Sequence, residues 1–275
     1  MTIMKRSGFT LVELLVVIAS IATLMGVLAP ALGAARQQTR GVVCESNIKQ
    51  LVLALTMYEQ ENGTFPYGLF HLTFDMVPPP GGYVGNRAYD KKGWWWFHFL
   101  AGTLGEDFGK ETILRCPSRS IRDPGLTENI LCGNYGVNRP ICVDSLQFGD
   151  NEFFGRPLGL NRIRHPAQTL LIVDSGYSLI SWRGATNVSG PLFENSGRKG
   201  YFYVPGMRIN EERLQKGTIS PYCEYDAING RHPNKTVNVG FADGHIARVR
   251  ADDLFVEKID DYNYSNLSPL WQSNK

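Results

Sequence analysis

The sequence predicts an α+β fold in which one long N-terminal helix packs on a C-terminal antiparallel β-sheet. Two observations lead to this prediction: an apolar run near the start continues into a stretch with helical spacing, and short β-rich runs separated by turns follow it. The chain has 275 residues, 43% hydrophobic and 20% charged, which is enough apolar material for a core and excludes intrinsic disorder. The formal net charge of +2 argues against nucleic-acid binding.

The run at about residues 9–30 is apolar on every face of a helix. Glu13 is the only charged side chain among the 29 residues between Arg6 and Arg36. As a helix, the run would be roughly 33 Å long, which matches a bilayer core of about 30 Å. The sequence therefore predicts a membrane span, and a carboxylate inside such a span is by default a functional candidate.

Three interpretations of this N-terminal segment compete. A secretory signal peptide has an apolar run of about 7–15 residues and a small-residue cleavage site, whereas here the run is longer and Pro30 interrupts the candidate site. A plain membrane anchor fits the length but leaves Glu13 without a role. The third interpretation uses the whole segment, which reads Lys5-Arg6-Ser7-Gly8 and then Phe9-Thr10-Leu11-Val12-Glu13-Leu14.

This segment resembles the N-terminus of the type IV prepilin and type II secretion pseudopilin superfamily, in which a short basic leader ends in glycine before a Phe-Thr-Leu-x-Glu motif. The resemblance implies that residues 1–8 are a leader, removed by a membrane-embedded prepilin peptidase that cuts between Gly8 and Phe9. It also implies N-methylation of Phe9 and makes Glu13 the fifth residue of the mature chain.

The resemblance also gives Glu13 a role. Cleavage would create an ammonium group on Phe9 at membrane depth, where an unpaired charge is strongly unfavourable. Glu13 of a neighbouring subunit would pair with this ammonium group. Such a pair sets the axial register between subunits, because removal of either partner leaves the other alone in hydrocarbon. The expected role of Glu13 is therefore assembly and not catalysis.

Helical spacing continues beyond the apolar run. An apolar stripe recurs at steps of four and three residues through Cys44, Ile48, Leu51, Leu55 and Tyr58. Asn62 and Gly63 then supply a stop signal. The sequence thus predicts one helix over residues 9–62, with its second half docked on a soluble domain, and a kink or local melting near Pro30.

Residues 63–275 are predicted to form a soluble α+β domain. The apolar run at residues 170–173, bounded by Asp174, is typical of a buried strand. A hairpin is predicted at residues 236–249, where two β-rich runs are joined by Asp243-Gly244, the pair that a two-residue hairpin turn prefers.

This hairpin carries a second resemblance. A large bacterial set with the prepilin N-terminus ends in a processing-associated motif, a histidine, nine residues and then Asp-Gly. Here His232 precedes Asp243 and Gly244, but ten residues intervene. The extra residue predicts a bulge or a longer turn after His232, so no pairing of His232 with the hairpin is carried over. The motif implies no chemical activity.

A metal or acid–base site at His232, Asp243 and His245 is the competing interpretation of this region. Turn geometry explains Asp243 and a strand position explains His245, so no metal site and no cofactor are predicted. Some pseudopilins bind calcium in a C-terminal loop, for which Asp226, Asn229 and Asp243 could supply oxygen ligands. Nucleophile motifs and phosphate-binding glycine loops are missing from the sequence, which predicts that the protein is not an enzyme.

Cysteines and tryptophans leave alternatives open. Cys132 and Cys142 could close a short loop, and Cys44 and Cys116 could join the helix to the domain, while buried free thiols remain the alternative for each. The cluster at residues 94–97, Trp-Trp-Trp-Phe, is either an exposed sugar-stacking platform or divided between core and surface.

The expected function is that of a pilin-like structural subunit, assembled into a type II secretion pseudopilus or a type IV pilus-like filament. Its expected partners are the prepilin peptidase, other pilin-like subunits and an inner-membrane assembly platform with an ATPase. The expected location is the inner membrane, crossed once, with the C-terminal domain in the periplasm or on the cell surface or pseudopilus. The alternative is a membrane-anchored surface binding module, with glycans as the ligand class, that uses the prepilin export route.

Overall fold

The structure, a computed structural model, has the α+β architecture that the sequence predicts. It describes residues 10–71, 77–84, 91, 93–106, 112–119, 128–146, 153–181, 231–254 and 271. Over these residues, one long helix packs on a five-stranded sheet, and a two-stranded sheet and a short helix complete the domain.

The long helix, α1, spans Leu11–Asn62. It ends at Gly63, which has a φ of 73° and donates its N–H to the carbonyl oxygen of Glu59 over 2.7 Å. Glycine suits this position because the left-handed conformation is costly for other residues. The helical conformation continues through Pro30, so the predicted local melting is wrong, and the kink predicted as its alternative stays a prediction. Proline removes one backbone hydrogen bond, and the turns on both sides are already formed, whereas starting a helix is the costly step.

The two halves of α1 differ in burial. Every residue from Thr10 to Arg40 is exposed. Beyond Arg40 one face of the helix is buried, and its buried residues are Gly41, Cys44, Ile48, Leu51, Val52, Ala54 and Leu55. The apolar stripe predicted from the spacing is confirmed, with Tyr58 half-buried at its end.

Two sheets accompany α1. The smaller one pairs β1, Leu69–His71, with β2, Gly93–Trp95, and the short helix α2 follows at Ala101–Leu104. The larger sheet is built from β3 Tyr135–Asn138, β4 Leu170–Asp174, β5 Leu179–Ile180, β6 Thr236–Phe241 and β7 Ile246–Arg250. Its order is β5-β3-β4-β6-β7, and all neighbours are antiparallel except β3 and β5. The sheet is therefore mixed and not purely antiparallel.

Helix α1 lies very close to the sheet at Gly240 on β6. A Cβ atom at this position would lie 2.2 Å from Val52 Cγ2, 2.8 Å from Ile172 Cγ2 and 3.3 Å from Ile48 Cγ2. Ordinary carbon contacts are about 3.5–4.0 Å, so glycine leaves the room that the helix occupies. The close packing of α1 on β6 thus depends on residue 240 being glycine, which has no side chain.

The opposite face of the sheet has its own core. Side chains alternate along a strand, and this second core contains Val237, Val239 and Phe241 of β6 together with Leu170, Val173 and Trp271. Asn138 is fully buried, and its Nδ2 donates to the carbonyl oxygens of Leu170 and Trp271, both over 2.8 Å. These bonds attach the segment at Trp271 to β3 and β4.

Strands β6 and β7 form an antiparallel hairpin. The Phe241 N–H donates to the carbonyl oxygen of His245 over 2.9 Å, which leaves Ala242, Asp243 and Gly244 as a three-residue loop. Gly244 has a φ of 98°, in the left-handed region. The predicted two-residue turn is therefore wrong by one residue. A three-residue loop with glycine in this region is the next most common hairpin connection.

Candidate functional site

The exposed half of α1 is the first candidate site. Among the described residues, α1 is the one helix long and apolar enough to cross a membrane by length and composition. Large side chains such as Leu11, Met25 and Val27 are more than half exposed. A contiguous apolar surface of this kind marks a membrane or protein contact. The helix is consistent with a single-pass membrane anchor.

Glu13 closes a capping box at the start of α1. The Thr10 N–H and hydroxyl donate to Glu13 Oε2 over 2.8 and 2.7 Å, and the Glu13 N–H donates to the Thr10 hydroxyl over 3.3 Å. The Thr-x-x-Glu spacing is itself a sequence signal for this cap. The predicted cleavage position between Gly8 and Phe9 lies outside the described residues.

The second candidate site is a cluster of four buried side chains, Cys44, Cys116, Asp174 and His232, which we call the buried Cys-Cys-Asp-His cluster. One ligand atom from each residue lies within 4.8 Å of the others. Their relative exposures are 0%, 3%, 0% and 4%, so bulk water does not reach them. Four segments that are distant in sequence contribute one residue each.

The fold explains how each segment reaches the cluster. Cys44 lies on the docked face of α1, and Asp174 is the last residue of β4. Cys116 is held by its N–H, which donates to Asn134 Oδ1 over 3.1 Å. His232 bridges to Thr236 at the start of β6.

A turn lies between His232 and β6. Asn234 and Lys235 in this turn both have positive φ values, 64° and 58°. Asparagine is among the residues that tolerate this conformation. The bulge or longer turn expected from the extra residue stays a prediction, and the His232 side chain contacts Asp174.

The four side chains form a continuous chain of contacts centred on Asp174. The Cys44 thiol donates to Asp174 Oδ1 over 2.9 Å, and His232 Nε2 lies 2.8 Å from Asp174 Oδ2. The Cys116 and Cys44 sulfur atoms are 3.5 Å apart. Asp174 Oδ2 also accepts the backbone N–H of Asn238 over 2.8 Å.

The contacts in the cluster shift the pKa values of its members. Burial alone would raise the pKa of Asp174, but the hydrogen bond and charge of His232, together with the Arg231 charge and the Asn238 N–H, lower it. Burial alone would lower the pKa of His232, but Asp174, together with the Cys116 charge, raises it. Burial raises the pKa of Cys44, and the Cys116 contact and the Asp174 charge raise it further. Asp174 and His232 thus favour their charged forms, while Cys44 keeps its proton.

A ring of outer partners holds these side chains in place. Ser118 Oγ lies 3.3 Å from His232 Nδ1, and the Tyr135 hydroxyl lies 3.5 Å from Cys44 Sγ. The guanidinium group of Arg231 donates to the carbonyl oxygens of Asn134 and Ser175. Because Ser175 follows Asp174 directly, this cation lies close to the carboxylate, and it contributes to the lowered pKa of Asp174.

The cysteines predicted as disulfide candidates form no disulfide with one another in the part of the chain that the structure describes, and Cys44, Cys116, Cys132 and Cys142 are all buried. Cys44 and Cys116 lie side by side, as expected for a pair that joins helix and domain, and Asp174 and His232 adjoin them. No pattern in the sequence associates these two pairs, because contacts between segments far apart in sequence have no spacing signal.

The remaining predicted site residues lie elsewhere. Asp243 is at the exposed hairpin tip, where its Oδ1 lies 2.6 Å from His245 Nδ1, and Gly244 follows it in the loop. His232 therefore does not join Asp243. Asp226 and Asn229, the other residues considered for calcium, lie outside the described residues.

The tryptophan cluster belongs to the core. Trp95, Trp96 and Phe97 are at most 1% exposed, and Trp94 is half-buried against Phe99 at 5.4 Å between ring centroids. The interpretation as an exposed sugar-stacking platform is wrong, because burying large aromatic surfaces is worth more to the fold than displaying them in water.

Fold and sites together define an α+β domain carried on a helix that is consistent with a single-pass membrane anchor. Residues 33–106 are similar to the family SBP_bac_10, described as a protein of unknown function (DUF1559), which is associated with prepilin-like proteins. The similar region begins after the membrane-competent run and includes Cys44 of the buried cluster. No curated protein and no solved structure matches the chain.

Proposed function

We propose that the chain is a pilin-like structural subunit, which a prepilin peptidase cleaves after Gly8 and methylates at Phe9. It assembles through its N-terminal helix into a type II secretion pseudopilus or a type IV pilus-like filament. One observation carries the proposal: α1 leaves the domain as an exposed apolar helix with a single carboxylate near its start. The similarity of residues 33–106 to a family associated with prepilin-like proteins supports it.

The capping box gives Glu13 a partner in the single subunit. An isolated carboxylate in hydrocarbon is costly, and the two Thr10 donors reduce that cost before assembly. In the filament, the terminal ammonium group of Phe9 on a neighbouring subunit replaces part of these contacts. Because Glu13 can pair with Phe9 only when the two subunits are correctly aligned along the filament axis, formation of this ion pair also fixes the axial register.

The other partners and the location follow from this role. The assembly platform with its ATPase adds subunits from the inner membrane, and the domain lies in the periplasm or on the cell surface or pseudopilus. The protein has no enzyme activity in this proposal. The competing glycan-binding role loses its motivating feature, because the aromatic cluster on which it rested is buried.

Mass spectrometry of the mature N-terminus tests the processing step. The full chain, expressed with an active prepilin peptidase, should begin at an N-methylated Phe9. A chain that keeps Met1 in that host refutes the proposal at its first step, whatever the domain does.

The assembly step is tested with Glu13→Ala and a matched control, Glu61→Ala, which removes an exposed carboxylate at the far end of the same helix. Both variants should be cleaved and inserted as the unmodified chain is. Only Glu13→Ala should lose filaments in shearing and cross-linking assays. Equal filament yield from the two variants contradicts the assembly role of Glu13, even if processing is confirmed.

A further inference from the structure

The buried Cys-Cys-Asp-His cluster has the donor set of a metal centre. We infer that Cys44, Cys116, Asp174 and His232 bind one Zn²⁺ ion, which fastens α1 to the sheet. Two sulfur donors, one imidazole nitrogen and one carboxylate oxygen suit tetrahedral Zn²⁺, which favours thiolate and imidazole ligands. The inference does not depend on the proposed filament role.

The donor atoms lie close to one another. Zinc bonds of about 2.0–2.3 Å place tetrahedral ligands about 3.3–3.8 Å apart. The two sulfur atoms are 3.5 Å apart, Cys44 Sγ is 2.9 Å from Asp174 Oδ1, and one ligand atom from each of the four residues lies within 4.8 Å of the others. The contact between Cys44 and Asp174 contains a proton, and it opens by about half an ångström when zinc replaces that proton.

The surroundings of His232 and Asp174 favour metal binding by specific atoms. If the His232 proton lies on Nδ1, this group donates to Ser118 Oγ, 3.3 Å away, and Nε2 is left as a ligand. A ligating histidine usually holds its second nitrogen by such a bond. The Asn238 N–H, 2.8 Å from Asp174 Oδ2, fixes that oxygen and leaves Oδ1 for the metal.

Charge balance is also favourable. Two thiolates and one carboxylate around Zn²⁺ leave a net charge of −1 in a buried site. The guanidinium group of Arg231, anchored on the Asn134 and Ser175 carbonyl oxygens, supplies a compensating positive charge next to the site. Binding releases the protons of the two thiols and the Nε2 proton of the charged His232, and no electrons are transferred.

The first experiment measures metal in the full chain, purified in detergent under anaerobic conditions. Elemental analysis should find about one zinc per chain. After removal of zinc, added Co²⁺ should produce thiolate charge-transfer bands and the strong visible bands of tetrahedral cobalt. Absence of both the zinc and the cobalt bands overturns the inference.

Variants then locate the site. Cys116→Ser should abolish stoichiometric zinc, whereas Cys142→Ser, which changes a buried cysteine outside the cluster, should retain it. Ser118→Ala keeps all four ligands, and it should weaken zinc affinity about 10–100-fold in competition with a chelator. Zinc content that is the same in Cys116→Ser as in the unmodified chain refutes the assignment.

A disulfide between Cys44 and Cys116 is the competing state, because their sulfur atoms are 3.5 Å apart. To test this, accessible thiols are alkylated in intact cells before the protein is unfolded. Mass spectrometry of its peptides then identifies which cysteines were free and which were joined in a disulfide. Two free thiols that become reactive only after zinc removal support the metal site. A Cys44–Cys116 disulfide in the protein as isolated overturns it.

Discussion

Substitution of Gly240 by alanine tests the contact between α1 and the sheet. The added methyl group would overlap Val52 Cγ2 at 2.2 Å and Ile172 Cγ2 at 2.8 Å. Both neighbours are branched core side chains that are fixed by packing, so the helix or the strand has to shift. Overpacking of this kind typically costs about 1–3 kcal/mol. For a domain of this size, the expected fall in Tm is about 2–12 °C.

The assay is thermal unfolding of the full chain in detergent, followed by fluorescence of the buried Trp95 and Trp96. This fluorescence reports unfolding of the domain alone, whereas far-ultraviolet circular dichroism would also contain the signal of the apolar half of α1. Gly102→Ala is the matched control, because Gly102 is exposed on α2 and a Cβ there meets nothing within 4 Å. The control should not lower Tm, because alanine is more favourable than glycine inside a helix.

A double-mutant cycle isolates the clash. Val52→Ala alone should cost about 1.5–3 kcal/mol through lost burial and a cavity. In the double variant, the methyl group at residue 240 occupies space that Val52 vacates, so the combined loss should be smaller than the sum by about 0.5–3 kcal/mol. Additive losses, or a Tm for Gly240→Ala equal to that of the unmodified chain, would refute the close approach of helix and strand.

Three further predictions concern single side chains. Burial lowers the pKa of His98 to about 4 from its ordinary 6.5, so the unfolded chain binds a proton between these values that the folded chain does not. Stability should therefore fall by about 3 kcal/mol as the pH drops from 6.5 towards 4, and urea titrations of His98→Asn should show a correspondingly shallower pH dependence. Asn138→Ala should lower the free energy of unfolding by about 1–3 kcal/mol, since it removes two buried hydrogen bonds to the carbonyl oxygens of Leu170 and Trp271; an unchanged urea midpoint would contradict this. Gly244→Ala should cost about 1–2 kcal/mol, because the φ of 98° is unfavourable for alanine, and an unchanged Tm would show that the loop adapts.

Periodicity explains why most of the architecture could be predicted. The docked face of α1 has a repeat of three and four residues, and the hairpin has β-rich runs around Asp243-Gly244, so each depends on neighbours in sequence. The parallel pairing of β5 with β3 could not be predicted in this way. A two-residue strand has too few residues to show a pattern, and its partner is set by the path of the chain.

The buried cluster has no signal in the sequence for a related reason. In the sequence Asp174 bounds an apolar run, whereas in the structure it is the fully buried last residue of β4. Its partner His232 is 58 residues away, and 72 residues separate Cys44 from Cys116. Metal-site motifs are recognised by short spacings within one segment, so a site with one ligand from each of four segments has no local signature.

The place of the cluster along α1 connects the two proposals. Gly41 and Cys44 are the first buried residues after the exposed run, so the cluster lies where the helix enters the domain. Gly41 is buried there, with His232 Nδ1 in ordinary van der Waals contact, 3.5 Å from the position of a Cβ. In the proposed filament, subunits that pack through their exposed helices would transmit axial load to the domain at this point. Apolar packing resists such load by many weak contacts, whereas zinc bonds to Cys44, Asp174 and His232 would join the helix directly to β4 and to the residues before β6. Loss of zinc should therefore loosen this end of the docked helix first, and amide exchange should increase near Cys44 before it increases near Leu55.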